Sequence, residues 1–434
     1  MDKILHNRKF YLALVIFGLV GQVAWVVENM YLNVFIYKMF HASAEQISLM
    51  VGASAAAATV TTLLIGALSD KVGKRKAFIC GGYILWGISI LCFALIREGW
   101  VHSLFFPMVS FNGAALSMCI TLTIVLDCVM TFFGSSANDA AFNAWLTDCT
   151  DETNRGKVEG INAMMPLLAI LVVFGGFMGL NQDLQDSWTV IFCVIGGVVL
   201  LLGITGFFLI EDPKIQTEGN SNYFANIFYG FRPSVIRENP ALYVGLAVFG
   251  LFNIAIQIFM PYLILYYSVS LEMADYVLIM APAILLAAVF TAFYGRVYDR
   301  KGFAVAVIPV MALLMIGFVL LFLFKGMLLV FVGSLLMMCG YLAGMAVFGA
   351  LIRDYTPENK AGMFQGLRIC FQVLIPGMIG PAIGAAVLKN AEQIVNSDGT
   401  TSFVPNENIF LAALVAVIVT AVAILPLWKL LKKR

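Results

Sequence analysis

Long apolar runs separated by short polar breaks extend along almost the whole chain. The runs fall at about 10–37, 47–68, 77–96, 121–145, 157–180 and 188–210. Past a longer polar stretch they resume at about 241–267, 274–294, 304–324, 328–351, 362–389 and 408–428. A helix crossing a hydrocarbon core needs ~20 mostly apolar residues, and each run is of that order. A membrane β-barrel would instead show alternating segments of ~10 residues. The basic start, Met1 to Lys9, has the composition of a signal-peptide n-region, but the run from Phe10 to Tyr37 is too long for an h-region and reads as a first span. The pattern predicts an all-α polytopic membrane protein with twelve transmembrane helices. They fall into two six-helix bundles, residues 1–210 and 241–434, joined by a linker at 211–240.

The polar breaks repeat. Ala144, Asp148, Thr150, Glu152, Gly156 and Gly160 recur 206 positions later as Ala350, Asp354, Thr356, Glu358, Gly362 and Gly366, without a gap. Gly66-x-x-x-Asp70-x-x-Gly73 recurs 229 positions later as Gly295-x-x-x-Asp299-x-x-Gly302. Self-similarity of this kind marks two copies of one plan and implies a pseudo-two-fold axis between the bundles. The offsets differ because 78 positions separate Asp70 from Asp148 and only 55 separate Asp299 from Asp354. An insertion is therefore expected at about 97–120, where Trp100, Phe105, Phe106 and Phe111 suggest an interfacial or re-entrant segment. Residues 390–408 read as an ordinary exposed loop, and the aromatic end of the linker, Tyr223 to Phe231, as a stretch lying along the interface.

Composition agrees and narrows the class. Hydrophobic residues make up 61% and charged residues 12%, at a mean hydropathy of +0.94, against about a quarter charged in soluble domains. A net charge of +1 offers no basic surface for a nucleic acid; the expected partner is the lipid bilayer. Lys and Arg orient the chain. With both termini cytoplasmic, 21 of 26 lie in cytoplasmic segments, the linker included; Lys38, Arg97, Lys325, Lys389 and Arg368 are the rest. A bacterial inner membrane and a monomer are the expected setting. The eight cysteines form no C-x-x-C pair and the three histidines are scattered, so neither a disulfide framework nor a metal or other cofactor is expected. No P-loop, G-x-S-x-G or H-E-x-x-H occurs, so the chain reads as neither an ATPase nor another enzyme.

Ionisable residues inside spans default to functional candidates. Asp139 lies nine residues before Asp148, roughly 13 Å deep by helical rise, near the middle of the membrane. Asp127 falls near the far boundary and reads as an interfacial acid. Asp127, Thr131, Ser135, Asp139 and Asn143 recur every fourth residue, so one face of span four lines a central cavity; packing by small polar residues is the alternative. Gln22, Trp25 and Asn29 occupy one face of span one, with Glu28 beside them. An aromatic ring flanked by amides suits a hydroxyl-rich solute, the ring covering an apolar sugar face. Span seven adds Gln257, with Asn253 and Tyr262. Span eleven adds Arg368 and Gln372, with Gln365. Met337, Met338 and Tyr341 form an apolar wall on span ten.

Gly66-Ala-Leu-Ser-Asp70-Lys-Val-Gly73-Lys-Arg-Lys76, with its echo from Gly295 to Gly302, resembles the signature between spans two and three of the major facilitator superfamily. That likeness implies a cytoplasmic gate at Gly66, Asp70, Gly73, Gly295, Asp299 and Gly302. The glycines would allow close helix approach and the aspartates a breakable contact with a helix N-terminus. Asn138-Asp139-Ala-Ala-Phe142-Asn143 is similar to the glycoside–pentoside–hexuronide:cation symporters, in which an aspartate at the position of Asp139 serves the cation and sugar sites. Those symporters carry acids in span two where this chain has Ala58 and Thr62, which implies proton coupling, or none, rather than a sodium site. A basic residue in span eleven of that family points to Arg368 as a partner of Asp139, and by depth the two are compatible. The expectation is a secondary active transporter of a small polar solute, a sugar or glycoside first, with a proton or cation as coupling partner. Its substrate-binding residues would be Gln22, Trp25, Asn29, Asp139, Asn143, Gln257, Arg368 and Gln372, and its coupling pair Asp139 and Arg368. Rival readings are an exporter of drugs or amphiphiles and a non-transporting membrane sensor on the same fold.

Overall fold

The computed structural model describes residues 8–105, 113–150, 155–212, 229–273, 275–356, 361–396 and 399–431. It is 87% helical. Eleven helices among the described residues are long and apolar enough to cross a membrane, and a twelfth has a shorter apolar part, Ile161–Phe177. In chain order they are α1 (Arg8–Phe40), α2 (Ala44–Val72), α3 (Arg75–Phe93), α4 (Gly113–Asp148), α5 (Arg155–Phe177) and α6 (Gln185–Leu209). The second set is α7 (Pro240–Ser270), α8 (Val277–Lys301), α9 (Phe303–Leu323), α10 (Met327–Tyr355), α11 (Gly366–Leu388) and α12 (Asn408–Leu431). The only sheet among the described residues is the pair β1 (Gln393–Val395) and β2 (Thr401–Phe403).

Two places differ from expectation. The helix of span four begins at Gly113, eight residues before the apolar run expected at 121, so residues 113–120 of the supposed insertion belong to span four. Thr121 and Thr123 donate to the carbonyls of Ser117 and Cys119 one turn back, 2.9 and 2.8 Å away, and a hydroxyl satisfied in this way does not oppose a helix. What remains is a short helix, Glu98–Phe105, with Trp100 and Phe105 exposed; Phe106 and Phe111 lie outside the described residues, as does the linker stretch 213–228. The second difference is residues 390–408. They form a hairpin rather than an exposed loop, with Ser402 and Phe403 buried. Asn396 ties it together, donating to Thr400 Oγ1 at 3.0 Å and Ser402 Oγ at 2.9 Å.

The chain divides into two compact units. The first comprises Met1–Gln46, Ala56–Ser221 and Asn396–Ser402. Its core is aromatic: Tyr31 and Phe35 of α1 meet Trp188 of α6, and Phe93 of α3 stacks on Phe192 at 5.3 Å. The hairpin tip joins this unit at His41, whose Nδ1 lies 3.1 Å from Ser402 Oγ. The second unit comprises Ile47–Ala55, Asn222–Val395 and Phe403–Arg434. Phe249 and Phe252 of α7 pack there on Phe348 of α10, and Phe259 packs on Phe318 and Phe410. Packing of large side chains and close backbone approach, rather than hydrophobic exclusion, holds helices together in lipid. All eight cysteines are free thiols.

Candidate substrate and coupling site

The spans carrying most of the candidate residues are not wound uniformly. Among the described residues, π-helical segments occur at Val27–Tyr31 in α1, Ser135–Phe142 in α4, Tyr266–Ser270 in α7 and Cys370–Leu374 in α11. A π segment inserts one residue into an α-helix at a cost in hydrogen bonding and recurs at functional sites. Three of the four contain candidates: Glu28 and Asn29, Asp139, and Gln372. No periodicity argument revealed this winding, because it shifts the register by a single residue.

In the first unit α4 presents Asp139 at intermediate exposure, its Oδ2 accepting from Ser135 Oγ at 3.0 Å. The preceding residue, Asn138, is buried and faces α1 and α3. Its Oδ1 accepts from Trp25 Nε1 at 3.4 Å, and its Nδ2 donates to Tyr83 Oη at 2.7 Å. Trp25 is half-buried against Trp86, ring centroids 5.0 Å apart. Gln22 is also half-buried. The amides of Asn29 and Asn143 turn back on their own helices, donating to the carbonyls of Trp25 at 2.8 Å and Asp139 at 3.1 Å. Each spends one of its two N–H donors on its own helix and keeps the other, with the amide oxygen, for a ligand.

The every-fourth-residue face of α4 divides in two. Asp127, Thr131 and Ser135 are buried, whereas Asp139 is half-buried and Asn143 exposed. Asp127, expected at an interface with water, is 2% exposed. Thr131 donates to Glu28 Oε1 of α1 at 2.8 Å, and Glu28 is itself buried. The far half of the face is thus a polar seam between α1 and α4, and only Asp139 and Asn143 are open.

In the second unit Arg368 Nε donates to Gln372 Oε1 at 3.1 Å, one turn along α11. Gln257 of α7 is half-buried against α11, where a Cβ on Gly380 would meet the Gln257 Cβ at 2.5 Å. Tyr262 is buried and donates to the Pro381 carbonyl at 3.1 Å. The side chain of Gln365 lies outside the described residues. Met337 and Met338 are buried inside the unit, so they pack rather than line an open wall.

The repeated glycine motif holds a different role from close helix approach. Gly73 and Gly302 end α2 and α8 with φ of 68° and 71°, their amides returning to the carbonyls of Ser69 and Tyr298. A Cβ on Gly66 would meet only the Ala140 Cβ, at an ordinary 3.9 Å, and one on Gly295 would meet nothing within 4 Å. The side chain of Asp70 lies outside the described residues; Asp299 is exposed. Sequence reasoning missed Arg75, which read as part of a solvated basic loop. It is buried, donates from Nε to Asp148 Oδ2 at 2.9 Å, and donates from Nη1 to Ser69 Oγ. The available signal was its being the one arginine among lysines in Lys71–Lys76, a residue suited to several fixed hydrogen bonds at once. In the second copy the position of Arg75 is Ala304, and Asp354 accepts instead from the hydroxyl of Tyr298, which occupies the position of Ser69.

A family model described as Major Facilitator Superfamily matches residues 10–381. No curated protein matches the chain in sequence. Solved structures similar to it include a point mutant of the nucleoside transporter NupG, at TM-score 0.71 and 13% identity, covering 97% of this chain and 100% of that one. The xylose transporter XylE from E. coli, in a partially occluded inward-open conformation, aligns at TM-score 0.69 and 14% identity over 97% and 98%. A bacterial homologue of the human lysosomal transporter Spinster aligns at 0.70 and 14% over 98% and 97%. At these identities the likeness establishes the shared fold.

Proposed function

Because the chain belongs to the Major Facilitator Superfamily, a superfamily of transporters and not of enzymes, we propose that it is a proton-coupled secondary transporter of a small, hydroxyl-bearing ring solute. Sugars and glycosides come first. The observation that carries this reading is the presence in one unit of a half-buried indole, Trp25, and a half-buried carboxylate, Asp139, the latter on a π-wound stretch of α4 whose Asn138 bonds the indole. A ring face needs an aromatic platform, and a coupling proton needs an ionisable group inside the membrane. Glycosides are favoured by the likeness of residues 138–143 to the glycoside–pentoside–hexuronide symporters. The alignments with a xylose and a nucleoside transporter support the wider class, since both solutes are hydroxylated rings. Gln22, Asn29 and Asn143 of the first unit, and Gln257, Arg368 and Gln372 of the second, are the further candidates for hydroxyl pairing. Gly66, Asp70, Gly73, Gly295, Asp299 and Gly302 would serve the gate, with both termini in the cytoplasm of a bacterium and a monomer as the working form.

The test is uptake of radiolabelled D-xylose, melibiose and uridine by reconstituted vesicles under an imposed pH gradient, acid outside. Accumulation of at least one above equilibrium, abolished by a protonophore, is the expected result. Equilibration of none of them would overturn the reading, and uphill transport indifferent to the protonophore would overturn proton coupling.

A further inference from the structure

The hydrogen bonds of Asn138 extend into a relay. Trp25 Nε1 donates to Asn138 Oδ1 at 3.4 Å, Asn138 Nδ2 donates to Tyr83 Oη at 2.7 Å, and Tyr83 Oη donates to the main-chain carbonyl of Phe17 at 2.9 Å. The relay starts at a half-exposed indole, passes through a buried amide and a buried phenol, and ends on the backbone of the same helix that carries Trp25. Each donor in it has one acceptor, so the planes of the amide and of the indole are fixed together. The surroundings leave little freedom. A Cβ on Gly21 would lie 2.2 Å from Asn138 Nδ2 and 2.6 Å from Tyr83 Oη, and one on Gly134 would lie 3.0 Å from Trp25 Cη2. Trp86, which backs the Trp25 ring, contributes packing only, since its own Nε1 has no hydrogen-bond partner among the described residues.

We infer that Asn138 is a positioning residue: through Tyr83 it holds the Trp25 indole at a set tilt, making its open face a rigid platform for the apolar face of a sugar or nucleoside ring. This rests on the transport reading above and deepens it, because it singles out solutes with a flat or chair-shaped ring over open-chain polyols. A platform held rigid before binding saves the ordering cost of fixing an aromatic side chain on association. The relay binds through the indole N–H, so replacing Trp25 by another aromatic residue keeps a ring and loses the anchor.

The experiment combines ¹⁹F NMR of fluorotryptophan-labelled protein with transport kinetics. The chain has six tryptophans, and Trp25→Phe assigns the Trp25 resonance. In Asn138→Leu, of similar size but without polar atoms, the Trp25 resonance should shift and broaden, that of Trp86, which packs on it, should follow, and those of the other four should stay. KM for the transported ring solute should rise about 3- to 10-fold, as expected for loss of one oriented aromatic contact, with maximal rate changed less than twofold. Trp25→Phe should raise KM similarly, and the double variant should be no worse than the poorer single, since both act through one ring. Tyr83→Phe, which removes one oxygen, carries the same readings if Asn138→Leu does not fold. An unchanged Trp25 resonance overturns the relay. A shifted resonance with unchanged KM, or KM penalties that multiply, overturns the positioning role. If the parent carries none of the three solutes the transport reading itself fails, and this is told apart because the resonance is read without solute.

Discussion

Adjacent residues in α4 differ in surroundings: Asn138 is buried and tied to Trp25 of α1 and Tyr83 of α3, whereas Asp139 is half-buried and bonded to Ser135 of its own helix. Neighbours on a helix point about 100° apart, so their likeness in sequence implies no shared environment. Arg75 makes the same point about charge. Its ion pair with Asp148 has side-chain exposures of 5% and 25%, against 16% and 70% for Lys38 with Asp183. Removing one member of a buried pair costs about 3–5 kcal/mol because the other charge is stranded, whereas an exposed pair is worth about 1 kcal/mol or less. Asp148 keeps some contact with solvent, so Arg75→Gln should fall at the low end, about 3 kcal/mol. The expected outcome is a clear drop in apparent Tm, at fixed scan rate in detergent, for Arg75→Gln and almost none for Lys38→Gln. Equal drops would mean that Arg75 is held no more tightly than a surface lysine.

At the scale of elements, the two motif copies are equivalent in sequence and unequal in backbone. Gly73 sits at φ 68°, ψ 12°, the left-handed region that other residues enter at a cost of roughly 1–2 kcal/mol. Gly302 sits at φ 71°, ψ 175°, a region almost confined to glycine, at about 1–3 kcal/mol. Gly73→Asn should therefore be tolerated, since asparagine enters the left-handed region most readily of the others, while Gly302→Asn should lower the apparent Tm and the yield. Comparable effects at the two positions would contradict the assigned backbone angles. The same inequality shows in the partners of the paired aspartates, an arginine for Asp148 and a tyrosine hydroxyl for Asp354. A repeated sequence fixes where a contact is made; a single exchanged residue decides its chemistry.

For the whole molecule, the coupling proton is assigned to Asp139. Asp139→Asn should abolish accumulation against a gradient while leaving solute exchange between the two sides of the vesicle. A variant that still concentrates solute as the parent does would place the coupling site elsewhere, Glu28 of α1 being a further buried carboxyl.

The order of residues was enough to establish the class and the apolar helices, and it carries the repeat and marks Asp139 as a charge within an apolar helix. These follow from the length of apolar runs and the cost of a charge in lipid, which are properties of the chain one segment at a time. The site was legible only in part. Trp25, Asp139 and Arg368 announced themselves as an aromatic or charged residue at depth; Asn138, Tyr83, Trp86 and Arg75 did not, because each acts through a partner distant in the chain. Folding in three dimensions settled which amides are spent on their own helices, that Asp127 is buried, and that residues 390–408 form a hairpin. It also set the π segments, since a one-residue change of helical register is stabilised by what packs on both sides of it. Apolar patterning specifies that a helix crosses the membrane; the neighbouring helices specify which way each of its polar groups points.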